Sequence, residues 1–257
     1  MVDLAKVINE NTFLISDTHF GHAKVLQFEP IRVEYLSDYN SDVTSECNEL
    51  LELLEIIPEE EHRTHDRINH LCKYLIEFHD SMLIEKWNNV VGANDTVLCL
   101  GDFAFKGIEE YTQALNGNKI LLRGNHDLKS ARTYIQAGWK SVIESVQLNL
   151  NGRLFEMSPK TDIYWNGFLT HINGWRILFS HYPIYNNNEW DLKKYGNITD
   201  MLEDVFESYG GEINFAGHTH SKLSNFENGI NVSIEHCTSL TPMKIGDVLE
   251  MNGYGEK

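Results

Sequence analysis

Five short clusters of aspartate, histidine and asparagine are the residues in this chain whose types and spacing best suit chemistry. They are Asp17-Thr18-His19, Gly101-Asp102, Gly124-Asn125-His126-Asp127, Ser180-His181 and Gly217-His218-Thr219-His220. Carboxylate and amide oxygens, together with imidazole nitrogens, bind divalent transition metals such as Mn, Fe, Zn, Ni or Co. An aspartate directly after a buried strand could bridge two cations, and a histidine beside an aspartate suits an imidazole held by a carboxylate. The residue types therefore indicate metal binding.

Each cluster taken alone also has an ordinary structural interpretation. Asp17-Thr18-His19 suits a polar loop with a helix cap, Asp102 a turn aspartate, and His218 with His220 a pair of surface histidines. Their conjunction argues for chemistry, because every cluster directly follows an apolar run and five such coincidences rarely arise by chance.

The apolar runs are the elements that must position the clusters, and each has the pattern of a buried strand. They are Thr12–Ser16, Val97–Leu100, Lys119–Leu122, Arg176–Phe179 and Ile213–Ala216. In sheets covered by helices, the loops at strand ends gather at one edge, and ligands bind there. Clusters that are distant in sequence can therefore converge, and we predict an α/β fold.

Helices and hairpins are expected between these strands. Apolar residues recur at helical spacing in Met82–Val91 and in Ile198–Tyr209. Asn151-Gly152 and Asn173-Gly174 separate apolar runs and have the composition of hairpin turns. The second half of the sheet structure is therefore predicted to contain antiparallel pairs, which makes it mixed.

A helical insertion is predicted at about residues 38–77. Leucines at helical spacing precede Pro58, and a second helical set begins at Ile68. Proline followed by acidic residues suits the start of a helix. We interpret this segment as a helical hairpin or cap that follows the first strand-loop unit.

The five clusters in this order resemble the calcineurin-like metallophosphoesterase superfamily. Ser16–His22, Trp87-Asn88, Leu100–Phe103 and Ser180–Pro183 are also similar to a bacterial and phage branch of small phosphoesterases. The resemblance covers about Phe13 to Val248, without the insertion. It implies one metallophosphoesterase domain over residues 1–257, built as a two-layered mixed β-sheet sandwich flanked by helices.

The resemblance also implies a role for each cluster residue. One metal ion would be bound by Asp17, His19 and His220, a second by Asn125, His181 and His218, and Asp102 would bridge both. His126 would be catalytic, protonating the leaving oxygen or stabilising its charge, with Asp127 orienting its ring. For substrate contacts we consider His22 and Arg123, although a loop role for His22 and a strand-end salt bridge for Arg123 remain open.

Composition limits the partners and the compartment. A formal net charge of −17 disfavours binding to long nucleic acid, whereas bound metal ions can still attract a small phosphate ester. The four cysteines form no regular pattern, which is typical of a reducing compartment. No signal peptide and no apolar run near the roughly 20 residues of a membrane helix is evident. We therefore expect a cytoplasmic protein; its oligomeric state is not determined by these features.

Hydrolysis of phosphodiesters or phosphomonoesters at two divalent ions, with small nucleotide-like substrates favoured, is the leading hypothesis. A phosphoprotein phosphatase is an alternative within the same superfamily. A metal-binding scaffold without catalysis is an alternative of another class. Such scaffolds usually lose ligands or the motif histidine, and this chain retains every position, which favours the enzyme.

Overall fold

The strands that precede the polar clusters lie in two mixed sheets. A computed structural model describes residues 4–157, 165–185, 188–222 and 225–257. Its strands are β1 Phe13–Ile15, β2 Thr96–Cys99, β3 Asn118–Leu122, β4 Ser141–Ile143, β5 Val146–Leu150, β6 Arg153–Met157, β7 Gly167–Ile172, β8 Trp175–Phe179, β9 Ile213–Ala216, β10 Asn225–Phe226, β11 Gly229–Asn231 and β12 Met243–Lys244. All five predicted strands are confirmed to within one residue at each end.

Helices cover the outer faces of both sheets. They are α1 Leu4–Val7, α2 Val25–Phe28, α3 Pro30–Tyr39, α4 Thr44–Ile56, α5 Glu59–His62, α6 Asp66–Val90, α7 Ile108–Ala114, α8 Ala131–Ala137, α9 Glu189–Ser208 and α10 Ile245–Met251. In the described part of the chain, no helix combines the length and the apolarity needed to cross a bilayer.

The first sheet has the order β12-β1-β2-β3-β4 and the second the order β10-β11-β9-β8-β7-β5-β6. β1 to β4 run parallel, and β12 pairs antiparallel with β1. In the second sheet, β5 with β6 and β7 with β8 are antiparallel hairpins, while β8 and β9 are parallel. The predicted hairpins and the mixed sheet are therefore confirmed.

Successive side chains of a strand alternate between the two faces of its sheet, and this alternation separates the core into layers. Leu14 faces the second sheet and shares a hydrophobic cluster with Phe179 and Phe215. Its neighbours Phe13 and Ile15 belong instead to a cluster with the helices that cover the first sheet. Successive side chains of a strand point to opposite faces, so both faces of this sheet are buried. The predicted two-layered α/β sandwich flanked by helices is confirmed.

The predicted insertion supplies much of the helical layer over the first sheet. Cys47, Leu50, Ile68 and Leu71 are almost fully buried and lie in the same cluster as the strand residue Val97. α6 runs without a break past residue 77 to Val90, so the second half of the insertion and the predicted helix at Met82–Val91 form one helix. This segment is part of the main core.

The strand ends explain how distant clusters meet. β1, β2 and β3 are parallel neighbours, so their carboxyl ends lie at one edge of the first sheet. β8 and β9 are parallel neighbours in the facing sheet. Asp17 N donates to the Gly101 carbonyl and Ile234 N to the Ser16 carbonyl, which continues the strand pairing into the loops. Five loops therefore converge at one end of the sandwich.

Candidate metal centre

Asp17, His19 and His220 bring three possible metal-binding atoms together. The Nε2 atoms of His19 and His220 are 3.0 Å apart, and Asp17 Oδ1 lies 3.9 Å from the first and 3.7 Å from the second. Ligand atoms around one ion with bonds of about 2.1 Å are separated by about 3.0–3.4 Å. Small shifts would therefore allow this group, the first ligand group, to bind a single ion.

Asn125, His181 and His218 form a second ligand group. Asn125 Oδ1 is 3.0 Å from His181 Nε2 and 3.0 Å from His218 Nδ1. The other ring nitrogen of His181 is 2.8 Å from the carbonyl oxygen of Leu100 and is suited to donate to it. That hydrogen bond places the proton on Nδ1 and leaves the lone pair of Nε2 for a metal ion.

Asp102 lies between the two groups. Its Oδ2 is 3.6 Å from His19 Nε2 and 3.7 Å from His181 Nε2, so one carboxylate oxygen faces a histidine of each group. Its Oδ1 accepts a hydrogen bond of 2.8 Å from the backbone N–H of His126, which fixes the carboxylate. The carboxylate is thus oriented to contact two neighbouring ions.

The backbone at this site adopts an uncommon conformation. Residues with a side chain rarely have positive φ, because the Cβ atom then approaches the backbone. Five residues of the two ligand groups and the bridge nevertheless have φ between 50° and 70°. Such strain is typical of functional sites, where packing and hydrogen bonds stabilise it. The five are Asp17, His19, Asp102, His218 and His220.

Two glycines allow the loops to approach one another. A Cβ atom on Gly124 would lie 2.2 Å from Asp102 Oδ1, and one on Gly217 would lie 2.2 Å from Asp17 Oδ2. Both distances are far shorter than van der Waals contact. Glycine at these positions is therefore required by the close packing of the ligand loops.

The carboxylates at the site are crowded and deeply buried. Burial and the negative charges of Asp17 and Asp127 raise the pKa of Asp102 well above its ordinary value. Burial alone would lower the pKa of His220, but the carboxylates of Glu235 and Asp17 outweigh it and raise the pKa to about 9. Among the described residues, buried Asp17 Oδ1 has no hydrogen-bond partner. Bound cations would satisfy this oxygen and offset the crowded negative charge.

Comparison with known proteins agrees with this arrangement. The family model described as calcineurin-like phosphoesterase matches residues 11–222. The chain belongs to the calcineurin-like phosphoesterase family. As a phosphoesterase of this family it is a hydrolase that acts on phosphoric esters, and family members typically bind divalent metals.

Similar proteins come from an archaeon and from a phage. An uncharacterized protein of Methanocaldococcus jannaschii is 30% identical over 183 residues, which are 69% of this chain and 72% of the relative. The gene 66 protein of Mycobacterium phage L5 is 27% identical over 164 residues, covering 58% of this chain and 67% of that protein. A protein of unknown function from Aquifex aeolicus has a similar structure, with a TM-score of 0.55, 18% identity, and coverage of 93% of this chain and 98% of that chain. This last similarity concerns the fold alone.

Two carboxylates that the sequence-based prediction missed hold the outer nitrogens of the phosphoesterase's histidines. Glu235 Oε1 lies 3.1 Å from His220 Nδ1, and Asp191 Oδ1 lies 3.3 Å from His218 Nε2. Such contacts fix the ring orientation and the tautomer of a metal-binding histidine. Neither acid stands in a strand-end cluster, so no local pattern marked it.

Arg32, which the sequence-based prediction also missed, connects Glu235 to the loop that carries Asp17 and Thr18. Its guanidinium is fully buried and pairs with Glu235, at 2.7 Å from Nε to Oε1. It also donates to the carbonyl oxygens of Asp17 at 2.6 Å and Thr18 at 2.9 Å. Arg32 and Glu235 are 203 positions apart, and only the fold brings them together.

The hydrogen bonds of Asp127 differ from the contact that was expected of it. This residue was predicted to orient the ring of His126. Within the described ranges, its carboxylate instead accepts hydrogen bonds from the backbone N–H groups of Asp102 at 2.7 Å, Gly124 at 2.8 Å and Phe103 at 3.2 Å. The hydroxyl of Tyr134 donates to it at 3.1 Å. Asp127 therefore holds the loops of the phosphoesterase that carry Asp102 and Asn125.

The residues considered for substrate contacts have different surroundings. Arg123 donates to the Asp127 carbonyl and pairs with Glu144 at 2.6 Å, and it is not among the described residues that line the cavity at the site. The structure thus favours the strand-end salt bridge over a substrate contact. His22 does line the cavity, and its ring stacks on Phe105 with the centroids 3.7 Å apart.

A cavity of about 1000 Å³ opens over both ligand groups. His19, Asp102, Asn125, His218 and His220 lie in its wall, together with His126. Residues of α2, α5 and α9 also line it. A single phosphate group would fill only a small part of this space, so the site can receive a larger ester.

Proposed function

We propose that this phosphoesterase hydrolyses phosphodiester or phosphomonoester bonds of small nucleotide-like substrates with two divalent metal ions. The observation that carries the proposal is the position of Asp102, whose Oδ2 lies 3.6 and 3.7 Å from one histidine of each ligand group. A carboxylate in that position can contact two ions about 4 Å apart.

The donor atoms fit divalent transition metals. In this proposal, one ion is held by Asp17, His19 and His220. The other is held by Asn125, His181 and His218, and Asp102 bridges the two ions. Mixed imidazole, carboxylate and amide ligands suit Mn, Fe, Zn, Ni or Co. When bound, such a pair activates a water for attack on phosphorus and offsets negative charge on the phosphoryl oxygens.

His126 is the residue best placed to assist the leaving group. It lines the cavity, and its Nε2 lies 3.9 Å from Asp102 Oδ2. Burial, and the repulsion that would arise if His126 and His181 were both protonated, lower the pKa of His126 to about 4. The ring is therefore neutral near pH 7, and we propose that it donates a hydrogen bond to the leaving oxygen, which stabilises the developing charge.

The charge distribution disfavours a long polyanion. The cavity wall carries charges of both signs: Lys24, Arg63, Lys194 and Lys222 stand beside Glu29, Glu59, Asp102, Asp191 and Glu227. Bound metal ions would supply the positive field that attracts a phosphate, while the acidic surface, with a formal net charge of −17, repels long polyanions. This distribution supports a small phosphate ester over long nucleic acid.

A direct assay tests the proposed function. Protein stripped with a chelator would be incubated with bis-(p-nitrophenyl) phosphate or p-nitrophenyl phosphate, each with Mn²⁺, Fe²⁺, Zn²⁺, Ni²⁺ or Co²⁺. We expect turnover that depends on the added ion, and the better ester shows whether diesters or monoesters are preferred. Absence of turnover with both esters under all five ions would contradict the proposal and favour the metal-binding scaffold.

Asp191→Asn is expected to weaken metal binding without unfolding the protein. The substitution removes the charge that faces His218 Nε2 at 3.3 Å. Loss of such an outer partner typically lowers metal affinity or activity about 10–100-fold. Calorimetric titration of the stripped protein with Mn²⁺ would measure the affinity of each site.

Asp204→Asn is the matched control, because Asp204 lies on the same helix and is exposed. We expect it to retain wild-type Mn²⁺ affinity. Equal affinities for the Asp191→Asn variant and this control would show that Asp191 does not position His218.

A further inference from the structure

Phe28 is an exposed aromatic residue in the cavity wall. Its side chain is 37% exposed, although its helix, α2, buries Val25 and Leu26. The next residue is Glu29, whose Oε1 lies 3.9 Å from His220 Nδ1. Phe28, His218 and His220 line the same cavity, so a nucleotide whose phosphate contacts the ligand groups can extend toward Phe28.

Arg63 of the helical insertion lies beside Phe28. Its guanidinium carbon is 5.3 Å from the centroid of the phenyl ring, within cation–π distance. The backbone around Arg63 is held in place: the Asn69 side chain donates to its carbonyl at 3.0 Å, and His62 Nε2 lies 2.7 Å from the carbonyl oxygen of Ile57. The insertion therefore places a guanidinium, carried on a hydrogen-bonded stretch of backbone, beside the aromatic ring of α2 in the same wall.

Phe105 and Tyr195, two other aromatic residues of the cavity wall, lie against neighbouring rings and a lysine. Phe105 is stacked on His22 at 3.7 Å with an interplanar angle of 9°, and the His126 ring lies 4.7 Å from it. Tyr195 contacts the ring of His218 at 5.0 Å. Lys194 lies over Tyr195 as well, with Nζ 4.9 Å from the ring centroid. These two rings pack on the ligand groups and their neighbours, whereas Phe28 lies beside a guanidinium plane on which a base can also stack.

We propose that Phe28 and Arg63 form a subsite that stacks the nucleobase of the substrate. This inference rests on the proposed hydrolysis of nucleotide-like esters and adds the recognition of their non-phosphate part. Bases stack on aromatic rings and on guanidinium planes. Glu59 and Lys24 in the same wall provide polar groups for the edge of a base. A lipid chain would require a continuous apolar wall, which these polar residues interrupt.

Binding of non-hydrolysable analogues tests the subsite. Calorimetry would compare the phosphonate analogues of AMP and of ribose 5-phosphate on the Mn²⁺-loaded protein. Stacking on one aromatic residue corresponds to roughly a 5- to 150-fold preference for the analogue that carries the base. Phe28→Ala is expected to bring the two dissociation constants to within about twofold, and Arg63→Ala to reduce the preference in part.

Phe155→Ala is the matched control, since Phe155 is 48% exposed on β6 and is not among the described residues of the cavity wall. It should retain the full preference. If Phe28→Ala weakens the binding of both analogues equally, or changes the binding of neither, the proposed subsite is wrong, even when the protein hydrolyses esters. If Phe28→Ala abolishes the preference for the analogue with a base, but the wild-type protein hydrolyses no ester, the subsite is supported and the proposed hydrolysis is contradicted.

Discussion

Asp102→Ala is expected to lower kcat/KM for phosphate ester hydrolysis by more than the roughly 10²–10⁴-fold produced by losing general acid–base assistance. The reason is geometric. Asp102 Oδ2 faces His19 and His181, one from each ligand group, at 3.6 and 3.7 Å. In the proposed two-metal arrangement, loss of the bridging oxygen would leave each ion without one ligand. The activity and the paired ions should therefore be lost together.

Metal content separates this effect from a loss of catalysis alone. Inductively coupled plasma mass spectrometry after dialysis should show fewer bound ions in Asp102→Ala than in the wild-type protein. His126→Ala is the comparison, because it removes the leaving-group contact and should retain the ions while activity falls about 10²–10⁴-fold. An Asp102→Ala protein with two ions and activity within tenfold of wild type would contradict the bridge.

Asp127→Ala is expected to destabilise the protein by about 3–5 kcal/mol. The carboxylate is 1% exposed and accepts four hydrogen bonds, three from backbone N–H groups and one from Tyr134. A buried donor that loses its acceptor costs about 1–3 kcal/mol, and water entering the space would recover part of the sum. For a chain of this size, 1 kcal/mol shifts Tm by roughly 2–4 °C, so Tm should fall by about 6–20 °C.

Thermal unfolding of metal-free protein measures this loss without interference from bound ions. Tyr134→Phe is a graded control, because it removes one donor to Asp127 and should cost about 1 kcal/mol. An Asp127→Ala protein with the wild-type Tm and a large loss of kcat would instead support the originally expected role, in which Asp127 orients the ring of His126.

The sequence predicted the elements of this fold well because their signals are local. An apolar run that ends in a polar cluster marks a buried strand, and the five predicted strands are all present. Asn-Gly pairs marked the hairpins β5–β6 and β7–β8. The family and its phosphoesterase activity followed from motifs at those strand ends, and the family match over residues 11–222 confirms them.

The helical insertion shows where local signals were insufficient. Apolar spacing predicted helices, but it could not show that α6 continues through residue 77 to Val90. Nor could it show that Leu50 and Leu71 pack in the same cluster as Val97 of the first sheet. Deleting residues 38–77 would therefore remove part of the core, and single substitutions such as Phe28→Ala are the better test of specificity.

By itself the sequence determined which residue types stand at the strand ends, and thus the ligand atoms available to a metal centre. Only the tertiary structure decided which atoms meet: that Asp102 lies between two histidines, that Asp127 binds backbone N–H groups, and that Arg32 pairs with Glu235 across 203 positions. The physical reason is that strand formation depends on neighbours in the chain. The partner of a buried polar group is the nearest complementary group in space, and long-range packing sets that distance.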